Sequence, residues 1–253
     1  MAQRTIGIIV AMPEEIKPLL KGAPQVVREQ LGIFPLYSFS QHNHRFAVIE
    51  SGIGADRALT AAQTLTEALN PELLISMGFG GGVSPGLQAG DIVIGVRFLV
   101  HKGKRMIEEN GVRLAPLPEA LVAELKQRGL SIGEGTIIST AGVQSKTVIA
   151  GQLPGHVTRG VVDMETGAIV RFATVTRTPL MAIRSVSDAL DEELGFSMDE
   201  FMNSSMQVSI PRVLMTVVRK PWIIPQLCRL ALNTRKAGRN LCIVFTRLRE
   251  TLA

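Results

Sequence analysis

Aromatic side chains are scarce in this sequence of 253 residues: one Trp, one Tyr and nine Phe. Single-stranded nucleic acids are held by basic grooves interleaved with stacking aromatics, so this scarcity argues against a nucleic-acid partner. Cysteine is nearly absent as well. Cys228 and Cys242 both lie near the C-terminus with no metal-ligand partners at usable spacing, which predicts two free thiols, no metal site and a reducing compartment. No stretch approaches the roughly 20 apolar residues that span a bilayer. The opening MAQRTIGIIVAMPEE offers only a short apolar run before Glu14 and Glu15, too short for a secretory signal. The expectation is a cytoplasmic protein. What is abundant is aliphatic: 46% hydrophobic against 19% charged residues is the balance of a globular chain, long enough for one large core.

The net charge of +5 is unevenly spread. From Arg212 onward there are nine Lys/Arg and one acid, Glu250, so the tail carries +8 while residues 1 to 211 carry −3. The sequence therefore divides into a mildly acidic body, 1–211, and a basic extension, 212–253.

Within the body, short β-branched runs alternate with amphipathic segments. Thr5 to Ala11 reads as a strand buried on both faces, and Pro13 with Glu14 and Glu15 suits a helix's first turn. Pro35–Phe39 and Arg45–Glu50 predict a hairpin. The SGIG punctuation at Ser51 precedes an Ala/Leu-rich helix reaching about Leu69. Leu73–Met77 predicts a strand running into a glycine loop, Gly78 to Gly82, where backbone can approach a ligand. Strands at Asp91–Leu99, Gly135–Ser139, Arg159–Asp163 and Pro179–Val186 alternate with helices at Pro116–Arg128, Gln144–Ala150 and Glu165 to about Thr174. This pattern predicts a three-layer α/β/α fold around a central mixed, largely parallel sheet, with ligands at the strand C-terminal ends.

Three acids follow strand candidates directly: Glu15, Glu165 and Asp188. In an open α/β sheet such ends converge on one edge, so carboxylates far apart in sequence meet in one cleft. Each also has a purely local reading, as a helix N-terminal acid or a turn cap. The four histidines, 42, 44, 101 and 156, fit no catalytic pattern.

The runs GIIVAMPEEI, SGIGADRAL, SMGFGGGVSPGLQAGDIVIG, VDMETGAI and RSVSDALDEE, in this order over roughly residues 4 to 202, resemble the nucleoside phosphorylase and nucleosidase superfamily. The pattern is most like that of bacterial 5′-methylthioadenosine/S-adenosylhomocysteine nucleosidases. The resemblance implies cleavage of a purine nucleoside's N-glycosidic bond in a homo-oligomer with no cofactor. By position, Glu15 resembles the carboxylate that activates the nucleophile, and Arg184 an arginine near it. Met164 and Glu165 resemble the pair that holds the ribose. Asp188 resembles the acid that protonates purine N7, with Ser187 its partner at the base. A leaving purine demands this set, because protonation neutralises the departing base while carboxylates stabilise an oxocarbenium-like sugar. Asp188 would then hold its proton through burial, and Glu15 would stay ionised.

Phosphorylases of this kind place arginines in the N-terminal loop and before the glycine motif; here those places read AMPEE and ISMGF, so water is the candidate nucleophile and phosphate the alternative co-substrate. Two departures bear on the substrate. Phe79, beside Gly80 in the candidate substrate site, stands where a serine is usual, and STAGVQSKT from Ser139 replaces a GDAFI-like base-binding run. Phe79 either flanks a larger, apolar 5′ group or fills space. It also motivates a different reading, a nucleoside-binding protein without catalysis.

In the tail, Ile223, Leu227, Leu230, Leu241, Val244 and Leu248 recur at helical spacing with Arg229, Arg235, Lys236, Arg239, Arg247 and Arg249 between them. This predicts a basic amphipathic helix, broken near Gly238. It either packs on the body or a subunit, or binds an anionic membrane's inner face through Trp222 and Phe245. The tail resembles that of hopanoid-associated phosphorylase-like proteins, which implies an adenosyl-lipid substrate as the alternative.

Overall fold

The β-branched run at the N-terminus forms β1 (Arg4–Val10), from which the sheet grows in both directions. In this computed structural model, which describes residues 3–192, 216 and 219–252, β1 pairs in parallel with β4 (His44–Glu50) and with β5 (Leu73–Gly82). Beyond β4 lie β3 (Phe34–Gln41), antiparallel as the predicted hairpin requires, and β2 (Val27–Leu31), an exposed strand with little apolar signal. On the other flank β10 (Leu180–Asp188) runs parallel to β5 and antiparallel to β6 (Ile92–Lys102). Next to β6 lie β8 (Ile132–Ser139), parallel, and β7 (Arg105–Glu108), antiparallel. Finally β9 (Val161–Asp163) pairs parallel with β8 and antiparallel with β5, so that β5, β10, β6, β8 and β9 close into a ring.

The sheet is mixed, as predicted, but less parallel: five of these pairings are parallel and five antiparallel among the described residues. The link from β5 to β6 explains part of this. Residues 83–91 are too few for a helical crossover, which needs about a dozen, so the chain comes back in the opposite direction.

Side-chain alternation along β1 sorts the core into two layers. Ile6, Ile8 and Val10 face one cluster with Ile16 and Leu19 of α1 (Pro13–Leu19) and Leu121 and Leu125 of α3 (Glu119–Gln127). Ile9 faces the other, with Ala58, Ala61, Ala62 and Leu65 of α2 (Ala55–Leu69) and Ile169, Val170 and Ala173 of α5 (Thr166–Thr176). The result is the expected three layers. A short helix, α4 (Lys146–Ala150), starts at the Ser145 cap.

The glycines read as a loop instead prolong β5. They are needed in the strand because neighbours press on it: a Cβ on Gly78 would lie 2.7 Å from Glu15 Oε1, and one on Gly80 2.8 Å from the Val162 carbonyl. The signal for a ligand loop was thus a signal for close approach.

The tail forms one helix, α6 (Ile224–Thr251), after a 3₁₀ turn at Pro221–Ile223. It is not broken at Gly238. There the absent side chain lets the helix lie against Pro18 and Phe79, whose atoms would stand 3.2 and 3.5 Å from a Cβ. The apolar stripe that suggested a membrane face is mostly spent on the body: Ile223, Leu241, Val244, Phe245 and Leu248 are fully buried. Phe245 meets Phe39 and Phe46 edge-on at 6.4 and 6.1 Å, and the buried Arg249 guanidinium lies 5.2 Å from the rings of Phe39 and Phe245. Arg247 is engaged by Glu124 and Glu250. No helix of the described residues is long and apolar enough to cross a membrane. The expected division at residues 211 and 212 lies outside the described residues.

Phe245→Ala is expected to destabilise the whole fold by about 3–5 kcal/mol in denaturant unfolding. A tail held only by other partners would leave unfolding unchanged.

Candidate active site

Strand ends bring the predicted acids together. Glu15 stands on α1 just after β1, Glu165 follows β9, and Asp188 ends β10 in register with Gly81 of β5. Glu15, Phe79, Gly80, Met164, Glu165, Ser187 and Asp188 all line one cavity of about 740 Å³. Arg184 is set below it. With Glu15, Glu165, Ser76 and Phe79 it lines a second, much narrower space of about 10 Å³.

Glu15 is almost fully buried, and its carboxylate is held entirely by backbone. Phe79 N–H donates to Oε1 at 2.7 Å, while Met12 and Ala11 N–H donate to Oε2 at 2.9 and 3.2 Å. Burial nevertheless dominates these donors and the Arg184 charge, raising the Glu15 pKa from 4.5 to about 7. The expectation of a fully ionised Glu15 is therefore corrected: near neutrality it is poised between base and acid, where a general base is most effective.

Glu165 receives Gly54 N–H at 2.7 Å and Met164 N–H at 3.2 Å. Burial, then the neighbouring Asp163 charge, raises it too to about 7. The SGIG segment thus presents an N–H to the Glu165 carboxylate, a contact across 111 positions that no local pattern announces.

Every nitrogen of the Arg184 guanidinium has a partner beneath the site. Its guanidinium donates to Asp163 Oδ2 (Nε, 3.0 Å), to Ser76 and Thr166 hydroxyls (2.9 and 2.7 Å) and to the Ile183 carbonyl (3.0 Å). Asp163 in turn accepts from Ser139 Oγ at 2.5 Å and from Thr166 through both backbone and hydroxyl. The sequence did not reveal Asp163, Ser139, Ser76 and Thr166 as site residues. Asp163 stands inside the VDMET run, but as a strand end it carries no visible chemistry. Here it fixes the arginine whose positive charge opposes the rise of both glutamates.

Asp188, expected to hold its proton through burial, faces a lysine. Lys146 Nζ lies 2.5 Å from Asp188 Oδ2, with both side chains largely shielded, and Ser187 Oγ donates to Oδ1 at 2.5 Å. The lysine also donates to the carbonyls of Ala189 and Glu192. Lys146 is a site residue that the sequence reading passes over, although the STAGVQSKT run differs from the usual base-binding one; its lysine was the available signal.

Phe79 fills two roles. Its N–H binds Glu15, and its ring packs against the α1 and α6 layer while bordering the cavity. From α6 itself, Leu230 and Thr234 complete the wall.

Because burial raises the native-state pKa of Glu15, the folded protein binds that proton more tightly than the unfolded chain does. Its contribution favours folding below about pH 4.5 and is lost as pH rises through about 7. Glu15→Gln should accordingly flatten the fall in denaturation midpoint between pH 5 and pH 8. An unchanged slope would show that Glu15 titrates at an ordinary carboxylate value.

Comparison with known proteins identifies the family. The family model of the phosphorylase superfamily matches residues 5–219. The 5′-methylthioadenosine/S-adenosylhomocysteine nucleosidase of Actinobacillus succinogenes is 28% identical over 226 residues, covering 83% of this chain and 96% of that one. Among solved structures, the Helicobacter pylori 5′-methylthioadenosine/S-adenosylhomocysteine nucleosidase with butyl-thio-DADMe-Immucillin-A superposes with a TM-score of 0.66 at 22% identity, over 87% of this chain and 100% of that one. Futalosine hydrolase of the same organism superposes with a TM-score of 0.62 at 23% identity, over 86% and 98%. These structures share the fold, and the family match spans most of the sequence: the chain belongs to the phosphorylase superfamily.

Proposed function

We propose that the protein is a nucleosidase that cleaves the N-glycosidic bond of a 5′-substituted adenosine and releases adenine, with water as nucleophile and no cofactor. The observation that carries this reading is the narrow space of about 10 Å³ between Glu15, Glu165, Ser76 and Arg184. It has room for about one water beside the Glu15 carboxylate. Each nitrogen of Arg184, the cation beside it, already donates to a protein acceptor: Asp163, Ser76, Thr166 or the Ile183 carbonyl.

The mechanism follows from the placement of charges. Glu165 and Met164 hold the ribose in the larger cavity, with Asp188 and Ser187 at the base. As the C1′–N9 bond lengthens, positive charge develops on the sugar near Glu15 and Glu165, and the purine takes up a proton at N7. Glu15 accepts the proton of the attacking water. The named relatives act, by their names, on 5′-methylthioadenosine and S-adenosylhomocysteine, which supports a 5′-thioether as substrate.

A second reading concerns the 5′ group. Leu230 of α6 lines the cavity, and Trp222, Ile224 and Leu232 of the same segment are exposed (67, 45 and 63%). Exposed Arg235, Lys236 and Arg239 follow. This half of the helix supports an adenosyl-lipid substrate drawn from an anionic membrane surface, with the protein cytoplasmic and peripheral. A homo-oligomer is part of the proposal and is checked by solution mass.

Adenine release is the decisive assay, run on 5′-methylthioadenosine, S-adenosylhomocysteine, adenosine and an adenosyl lipid. Turnover of the thioethers is expected, reduced at least about 100-fold in Asp188→Asn. The rate should rise with pH through about 7 as Glu15 ionises. Release from the lipid alone would favour the second reading. Tight binding of adenosine analogues without turnover of any substrate would make the protein a binding module.

A further inference from the structure

A carboxylate paired with an ammonium has no proton of its own to give, yet the leaving purine needs one. The side chain facing Asp188 is Lys146, at the first turn of α4, and both line the cavity that holds the other site residues. Lys146 is itself buried, with 8% of its side chain exposed. Among the described residues its three N–H groups meet three acceptors: Asp188 Oδ2, the Ala189 carbonyl and the Glu192 carbonyl at 3.1 Å. An ammonium that loses one proton keeps two N–H groups, enough for the two carbonyls. The atom left without a proton is then the nitrogen turned toward Asp188. The pair is arranged for a proton to pass between Nζ and Oδ2 with every other partner still satisfied.

We propose that Lys146 is the proton source for the departing purine, acting through Asp188. The inference rests on the nucleosidase reading. Lys146 Nζ transfers a proton to Asp188 Oδ2, and the carboxyl so formed donates it to N7. The C1′–N9 bond breaks with its electron pair going to the purine, which departs neutral. Water oxygen bonds to C1′, and its proton goes to Glu15. Exchange with solvent returns a proton from Glu15's side to the Lys146 amine before the next turnover. Lys146 is a positioning and proton-supplying residue; Asp188 is the group that meets the base.

Two variants separate this role from that of a structural clamp. Lys146→Arg keeps a cation beside Asp188, but a guanidinium does not surrender its proton. Lys146→Met keeps length and removes the charge. Each is assayed on 5′-methylthioadenosine and on 4-nitrophenyl riboside, whose aglycone departs without protonation, with thermal melting as the check on folding. Both variants are expected to lose at least about 100-fold in kcat on the purine nucleoside and to keep nitrophenyl riboside cleavage within about threefold. Lys146→Arg with wild-type purine turnover would overturn the assignment, leaving a cation as all that Asp188 needs. Equal losses on both substrates would also overturn it, making Lys146 a clamp on the β10 end. A wild-type protein that cleaves neither substrate would overturn the nucleosidase reading and this inference with it.

Discussion

Everything in the site depends on one close approach: the Glu15 carboxylate pressed edge-on against a strand without side chains. Oε1 takes the Phe79 N–H, and a Cβ on Gly78 would stand 2.7 Å from the same oxygen. Three backbone donors orient the carboxylate, and burial brings its pKa to about 7. A group fixed by main chain costs no reorganisation when water is deprotonated, which is the condition for effective general-base and electrostatic catalysis. The glycine strand, the turn into α1 and the buried Arg184 network beneath it together hold that carboxylate away from bulk water.

A second constraint ties the tail to the site. Gly238 lets α6 lie on Phe79 and Pro18, so the helix supports from behind the residue whose N–H holds Glu15. Asn233 donates to Glu192, and Arg229 lies 3.6 Å from it, linking α6 to the segment after β10 where Lys146 also binds. The basic extension therefore works as part of the body over its C-terminal half. Its N-terminal half is where Leu230 reaches the cavity and Trp222 faces outward.

The sequence made the layer order and the converging acids legible because both leave short-range marks. Apolar runs announce β1, β5, β9 and β10, and Glu15, Glu165 and Asp188 follow β1, β9 and β10. What it hid was set by long-range pairing. The glycines of β5 look alike whether they form a loop or a crowded strand, and only Val162 and Glu15 pressing on them decide. The antiparallel return of β6 follows from a link too short to carry a helix. The amphipathic period of α6 was correct, but periodicity states that a face is buried and not against what. Asp163 carried no signal as a single residue, and Lys146 only that of an unusual run; their meaning lies in partners 21 and 42 positions away.

The proposed use of water rather than phosphate as nucleophile is tested most directly by isotope labelling. Turnover of 5′-methylthioadenosine in phosphate buffer made with H2(18O), followed by mass spectrometry of the sugar, should show one label at C1 and no sugar 1-phosphate. A sugar 1-phosphate product would contradict both water as the nucleophile and Glu15 as the base that activates it.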